Sequence, residues 1–326
     1  METIELAGTG RVTSRLGFGC ASLMGAVGRR ESLRLLEAAW DAGFRHFDVA
    51  PMYGYGAAEG CVGEFLARHG GEATVTTKYG IAAANNPGML RAARRVLRPL
   101  VARVPALKKK LAKAADSTVA AVGKSRFTAA EARATLEHSL RELRTERIDV
   151  WLMHEAEPDD LGDEGLLRFC QEAVASGKIG AFGVASQAGS IAALTRTRPE
   201  FCSVMQYEWS VWDETISASG GFRMHHRALT ENLIELRGKL ASDRSLCGRW
   251  SDEAGVNLQD SEILAQVMLK AALVENPVSV ILVSSKSPAH IADNALLVND
   301  ERLTAAAVRL HALAAVVRHP LQAVAV

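Results

Sequence analysis

The sequence predicts a (β/α)8 TIM barrel, and two observations carry that expectation. Short apolar runs alternate with amphipathic stretches along almost all of the 326 residues. Eight such runs can be found, most of them apolar at nearly every position, as parallel strands buried on both faces should be. Eight parallel strands joined by helices close into a barrel. The length alone would allow two domains, but α/β barrels often use this much chain as one, and we read residues 1–326 as a single domain.

The expected strands are Leu16–Cys20, Phe44–Asp48, Ala73–Lys78, Ile148–His154, Ile179–Val184, Ser203–Gln206, Gly221–His225 and Ser279–Val283. The seventh is the weakest, because FRMHH is polar and poorly patterned. Ahead of them, Thr3–Ser14 turns around Gly8-Thr9-Gly10 and reads as a small hairpin plugging one barrel end. Glu31–Ala42 repeats apolar positions at helical spacing, and Gly43 is placed to stop it. Thr128 and Glu131 form a capping-box pattern before a helix that ends near Arg144.

One segment breaks the rhythm. Residues 81–127 are too long for a barrel connection, and Arg91–Arg126 holds eleven Lys or Arg against one acid, Asp116. Apolar residues at helical spacing, divided by Pro99 and Pro105, predict a basic helical insertion after the third strand. A solvated basic face is the plainest reading of it. A lid that draws in an anionic ligand, or a surface for a protein partner or membrane, are the alternatives.

Composition narrows the function classes. With 38 basic and 37 acidic residues the charge nearly cancels, so no global field favours nucleic acid or a membrane surface. Five scattered cysteines without a CxxC pair suit a reducing compartment and argue against disulfides or a zinc site. The start, METIELAGTG, lacks a basic region followed by an apolar stretch, and no apolar run reaches membrane-spanning length. A cytoplasmic protein without stable membrane insertion is expected, and no metal.

Four side chains carry the chemistry. Asp48, Lys78 and His154 end three successive strands, and strand ends of a parallel barrel open on the face where active sites sit. Tyr53 follows five residues after Asp48, in a loop that Pro51, Gly54 and Gly56 can fold back over the mouth. A free phenol, with a pKa of about 10, is a poor acid at neutral pH, and an adjacent ammonium favours its ionised form. Tyr53 is thus the expected general acid, Lys78 its tuner, Asp48 the partner of Lys78, and His154 the donor that orients a carbonyl oxygen. These side chains hold no hydride, so a nicotinamide cofactor must supply it. Two other classes stay open: a cofactor-binding regulatory or redox-sensing subunit of a larger complex, and a Schiff-base lyase using Lys78.

Lesser motifs point elsewhere. His225 and His226 are neighbours on a strand, so their side chains face opposite ways and metal ligation by both is awkward. Structural or substrate-lining roles suit them better. HEAEP, from His154, lacks the second histidine of HExxH. Tyr207, Trp209, Trp212 and Trp250 are candidates for a pocket wall, with core packing the plainer fate of each.

In family order, the chain carries LGFG (Leu16–Gly19), HFDVAPMYGYG ahead of Glu59, TTKYG (Thr76–Gly80) and DVWLMHEAEP (Asp149–Pro158). GKIGAFGVAS (Gly177–Ser186), MQYEWSVW (Met205–Trp212) and SSKSPAHIADN (Ser284–Asn294) follow. In these motifs the chain resembles the aldo-keto reductase superfamily. The resemblance implies a (β/α)8 barrel and NAD(P)H-dependent reduction of an aldehyde or ketone, or the reverse oxidation of an alcohol. It implies catalytic roles for Asp48, Tyr53, Lys78 and His154. It places Gly19, Ser186 and Gln206 at the cofactor, the last two on the nicotinamide carboxamide. Ser284, Ser285, Lys286, His290 and Asn294 would follow along the adenosine and its ribose phosphate. NADPH is the expected cofactor; Ser284 and His290, standing where the family often carries Lys and Arg, keep NADH open.

Overall fold

The computed structural model describes residues 1–69, 71–81, 126–214 and 220–318. Two short strands, β1 (Thr3–Glu5) and β2 (Val12–Ser14), pair antiparallel as the expected hairpin. Eight parallel strands then close into a barrel. They are β3 (Leu16–Gly19), β4 (His46–Asp48), β5 (Thr74–Tyr79), β6 (Ile148–His154), β7 (Ile179–Ala185), β8 (Val204–Glu208), β9 (Phe222–His226) and β10 (Ser279–Val283). The order around the barrel follows the chain, and β10 pairs with both β9 and β3 to seal it. The polar seventh barrel strand forms after all, one residue further along than the sequence suggests.

Alternation along each strand sorts the side chains into two cores. One lies within the barrel, where Val150, Leu152, Val204, Met224 and Val280 cluster with Leu6 of the hairpin. Leu6 is fully buried, and Arg147 just before β6 donates to the Thr9 carbonyl at 2.9 Å, so the hairpin does plug the barrel bottom. The second core lies between strands and helices. Phe47, flanked by His46 and Asp48, packs at 4.7 Å on Phe65, and Tyr79 stacks on Trp151 at 5.2 Å. Each such large apolar side chain contributes about 1.5–3 kcal/mol by leaving water.

Helices supply the outer layer. The first, α1 (Arg29–Asp41), buries Leu35, Leu36 and Ala39, and Gly43 turns the chain beyond it at φ 93°. It is followed by α2 (Ala58–His69), α3 (Ala129–Leu143), α4 (Glu164–Ala175) and α5 (Ala188–Thr197). The Thr128 hydroxyl accepts from the Glu131 N–H at the head of α3, and Arg144 ends that helix in the left-handed region. After β9 come α6 (Thr230–Ser242), α7 (Arg244–Ala254) and α8 (Ser261–Glu275); α9 (Pro288–Leu297) and α10 (Thr304–Arg318) follow β10.

The basic insertion expected over residues 81–127 lies outside the described residues except at its edges. There the Tyr79 hydroxyl donates to the Arg126 carbonyl at 2.8 Å, and Phe127 packs on the Tyr79 ring at 5.3 Å. Both ends of that segment are therefore anchored beside the barrel mouth. Among the described residues, no helix is long and apolar enough to cross a membrane.

Candidate active site

The inward face of each strand delivers its last side chain to the barrel mouth. Pairing Asp48 with Thr76 and Lys78 with Leu152 sets these ends in register. Gly19, Asp48, Lys78, His154, Gln206 and His226 consequently meet around one cavity of about 580 Å3.

The core of the cavity is an ion pair. Lys78 Nζ donates to Asp48 Oδ1 at 2.6 Å and to the Val49 carbonyl at 3.3 Å, and both charged side chains are buried. Burial alone would lower the Lys78 pKa. Asp48 and Tyr53 outweigh that effect and hold its pKa above the usual value, so the ammonium stays charged. The other Asp48 oxygen, Oδ2, accepts from the Gln206 side-chain amide at 2.7 Å.

Tyr53 reaches the cluster from the loop after β4. Gly54 and Gly56, at φ 59° and 80°, fold that loop back. A side chain on Gly54 would strike Met24 and the Leu23 carbonyl, so only glycine fits there. The fold leaves the Tyr53 ring 5.3 Å from Lys78 Nζ and edge-on to His154 at 6.4 Å between ring centres. The phenol pKa does not fall below its ordinary value as the sequence reading expects. Burial raises it more than Lys78 lowers it, and Tyr53 keeps its proton.

His154 and His226 flank this cluster. Burial, helped by the Lys78 charge, drives His154 down to about 3 and His226 down to about 4. Both rings are therefore neutral near pH 7, each with one N–H to donate. His226 belongs to the wall because it shares the inward face with Met224. His225 faces the other way, edge-on to Tyr207 at 4.5 Å. Alternation along β9 would have singled out His226 in the sequence, had the strand been carried one residue further. Arg227, Glu208 and Glu231 also line the cavity; Glu208 lies within the MQYEWSVW motif with no role assigned to it, and Arg227 and Glu231 lie in none of the motifs.

The expected cofactor residues divide into two groups. Gly19, Ser186, Gln206, Ser284 and Asn294 line the cavity. Ser186 Oγ donates to the Ala156 carbonyl at 2.7 Å, which leaves its lone pairs as acceptors. Ser285, Lys286 and His290 sit at the head of α9, outside the cavity wall. The Ser285 hydroxyl is engaged with the Ser287 backbone, and Lys286 and His290 are exposed. Tyr207, Trp209 and Trp250 are buried in the strand–helix core. The cavity lies within the size range of ligand pockets. The acceptors, amide groups and uncharged imidazole in its lining form a hydrogen-bonding set that fits a nicotinamide and its ribose.

Residues 15–228 match the model of the Aldo/keto reductase family. The chain belongs to that family. This aldo/keto reductase is 44% identical over 82 residues to a pyridoxal 4-dehydrogenase of Microbacterium luteolum, covering 24% of each chain. It is 32% identical over 200 residues to a D-threo-aldose 1-dehydrogenase of a Pseudomonas species, covering 58% of this chain and 54% of the other. The chain thus spans about a quarter and about half of those two relatives. Its fold matches an aldo-keto reductase of Bacillus halodurans in holo form, with a TM-score of 0.65 at 17% identity over 96% of both chains. An aldo-keto reductase of Klebsiella pneumoniae in complex with NADPH matches with a TM-score of 0.60 at 19% identity, over 92% of this chain and 90% of that one.

Proposed function

We propose that the protein reduces an aldehyde or ketone with NAD(P)H, or oxidises the matching alcohol, with Tyr53 as general acid. The observation that carries this reading is the convergence of Tyr53 and His154 on the buried Lys78–Asp48 pair. When bound, a nicotinamide would supply or accept the hydride. The protein's own work is proton transfer and orientation. The neutral His154 ring donates to the carbonyl oxygen and fixes its direction. The Tyr53 hydroxyl gives that oxygen a proton as it becomes an alkoxide. Lys78 then stabilises the phenolate left behind, and this attraction grows as the charge develops, which is where it lowers the barrier. Asp48 keeps the ammonium in place.

Ser186 and Gln206 are the groups we assign to the carboxamide, with Gln206 using its side-chain oxygen because its amide nitrogen is engaged with Asp48. Gly19 gives the dinucleotide close passage, and Ser284 and Asn294 meet its adenosine half. Ser285, Lys286 and His290 would meet the ribose phosphate by side-chain movement at the head of α9. A Schiff-base role for Lys78 is disfavoured by its retained charge, since the nucleophile must be the free amine. Pyridoxal and D-threo-aldose lead the substrate panel, because the two relatives are named for acting on them.

The test is fluorescence titration of NADPH and NADH into the wild-type protein and Tyr53→Phe, followed by a carbonyl panel. Tight binding by both proteins is expected, with turnover in Tyr53→Phe lower by about 10²–10⁴. If neither nucleotide binds at millimolar concentration, the reading is wrong.

A further inference from the structure

The carboxylates of the cavity are not equally engaged. Among the described residues, four of them line it: Asp48, Glu155, Glu208 and Glu231. Asp48 is committed to Lys78. Glu208 and Glu231 close as a clasp on Arg227, at 3.1 and 3.0 Å. Glu155 is exposed, and among the described residues its carboxylate has neither an ion-pair nor a hydrogen-bond partner. The charge left over at the mouth is therefore this one, and it follows His154 directly in the chain.

The backbone holds Glu155 there against its own preference. Its φ is 58°, in the left-handed region that a residue with a side chain rarely adopts. Three contacts impose that turn. The Glu155 N–H donates to the Ala185 carbonyl of β7 at 2.7 Å, and the carbonyl of buried Ala156 accepts from Ser186 Oγ at 2.7 Å. On the other side, a side-chain carbon on Gly80 would come within 2.8 Å of the His154 carbonyl oxygen. Glycine at position 155 would meet the same backbone demand without strain. What glutamate supplies is its side chain, and strain that the surroundings over-determine is found where a side chain acts on a ligand.

We propose that Glu155 selects the carbonyl substrate. Its carboxylate accepts a hydrogen bond from a donor that the substrate carries beside the reacting carbonyl, and repels substrates that carry a carboxylate of their own. This inference rests on the reductase reading above and names a specificity residue for it. An unpaired carboxylate gains a charge-assisted hydrogen bond from a substrate hydroxyl without giving up another partner. A substrate carboxylate brought to the same place meets a like charge. Among the described residues of the lining it finds no free cation in exchange, since Lys78 and Arg227 are both engaged. Selectivity thus comes from one attraction and one repulsion at a single side chain.

The experiment is kcat/KM for D-glyceraldehyde, propanal and succinic semialdehyde, at saturating NADPH or NADH, with wild type, Glu155→Gln and Glu155→Gly. Propanal has neither a donor nor a charge and serves as the reference. In Glu155→Gln the ratio of glyceraldehyde to propanal is expected to fall about three- to tenfold, through KM more than kcat. The ratio of succinic semialdehyde to propanal should rise about threefold as the repulsion is lost. Glu155→Gly suits the left-handed backbone and removes the acceptor; it should lose at least as much selectivity, and it decides the matter should Glu155→Gln fail to fold. A spacer without contact to the substrate would shift all three aldehydes alike. Equal factors therefore overturn the inference, as does a wild type that prefers succinic semialdehyde to glyceraldehyde. Protein that binds nucleotide but reduces none of the three overturns it as well. Wild-type protein that binds neither nucleotide would instead overturn the reductase reading itself.

Discussion

Asp48 and Lys78 meet at 2.6 Å inside the barrel mouth, with 4% and 2% of their respective surfaces exposed. Two charges taken out of water depend on each other. Their partnership explains why the cavity can keep an ammonium beside a phenol. It also makes the site brittle, because neither charge is tolerated alone.

Lys78→Met should therefore destabilise the protein by about 3–5 kcal/mol, since it strands a buried carboxylate that keeps the Gln206 amide but loses its cation. Asp48→Asn should cost a similar amount for the opposite reason. The double variant should recover most of that loss while remaining inactive. Urea unfolding of all four proteins gives the coupling directly. Single variants no less stable than the double one would show that the pair is not what holds the mouth together.

Much of this site was legible in the sequence because period-two alternation fixes which strand residue points inward. Asp48, Lys78 and His154 each end an apolar run, and their convergence needed only a parallel barrel. Tyr53 was legible through Gly54, whose left-handed turn admits no side chain. The sequence could not show His226, because the polar β9 carries no apolar pattern to mark where it stops. Nor could it show that burial would outweigh Lys78 at the Tyr53 phenol, since that balance depends on how much protein surrounds the ring. The Arg227 clasp joins residues from β8, the loop after β9 and α6, and no local pattern predicts such a meeting.

The buried imidazoles set an acid limit on stability. Burial drives His46 down to about 4 and His225 down to about 3, alongside the similarly lowered His154 and His226. The unfolded chain takes up these protons near pH 6.5, and the folded one refuses them until far lower pH. Their contribution is thus complete above about pH 6.5 and is lost as pH falls toward 3–4. Each imidazole steepens the loss by at most about 1.4 kcal/mol per pH unit. Glu59 and Asp149, raised by burial, act in the opposite sense, so one histidine must be isolated. His225→Phe keeps a ring against Tyr207 and removes one proton site. Its unfolding free energy should fall less steeply than wild type between pH 6.5 and 5, and parallel curves would refute the assignment.

Glycines at two kinds of position should answer alanine in opposite ways. Gly238 in α6 and Gly248 in α7 are exposed, and a side-chain carbon at either meets nothing within 4 Å. Alanine there loses less backbone freedom on folding, and each substitution should add about 0.5–1 kcal/mol. Gly183 sits in β7, where the same carbon would lie 1.9 Å from the Val204 carbonyl oxygen of β8. That contact is with backbone, and no side chain can swing aside to relieve it. Gly183→Ala must push β7 and β8 apart, which disturbs Ser186 and Gln206 at their ends and should cost about 3 kcal/mol or more. Thermal unfolding of the three variants distinguishes the cases. A Gly183→Ala protein as stable as wild type would mean that the two strands are not as close as the barrel requires.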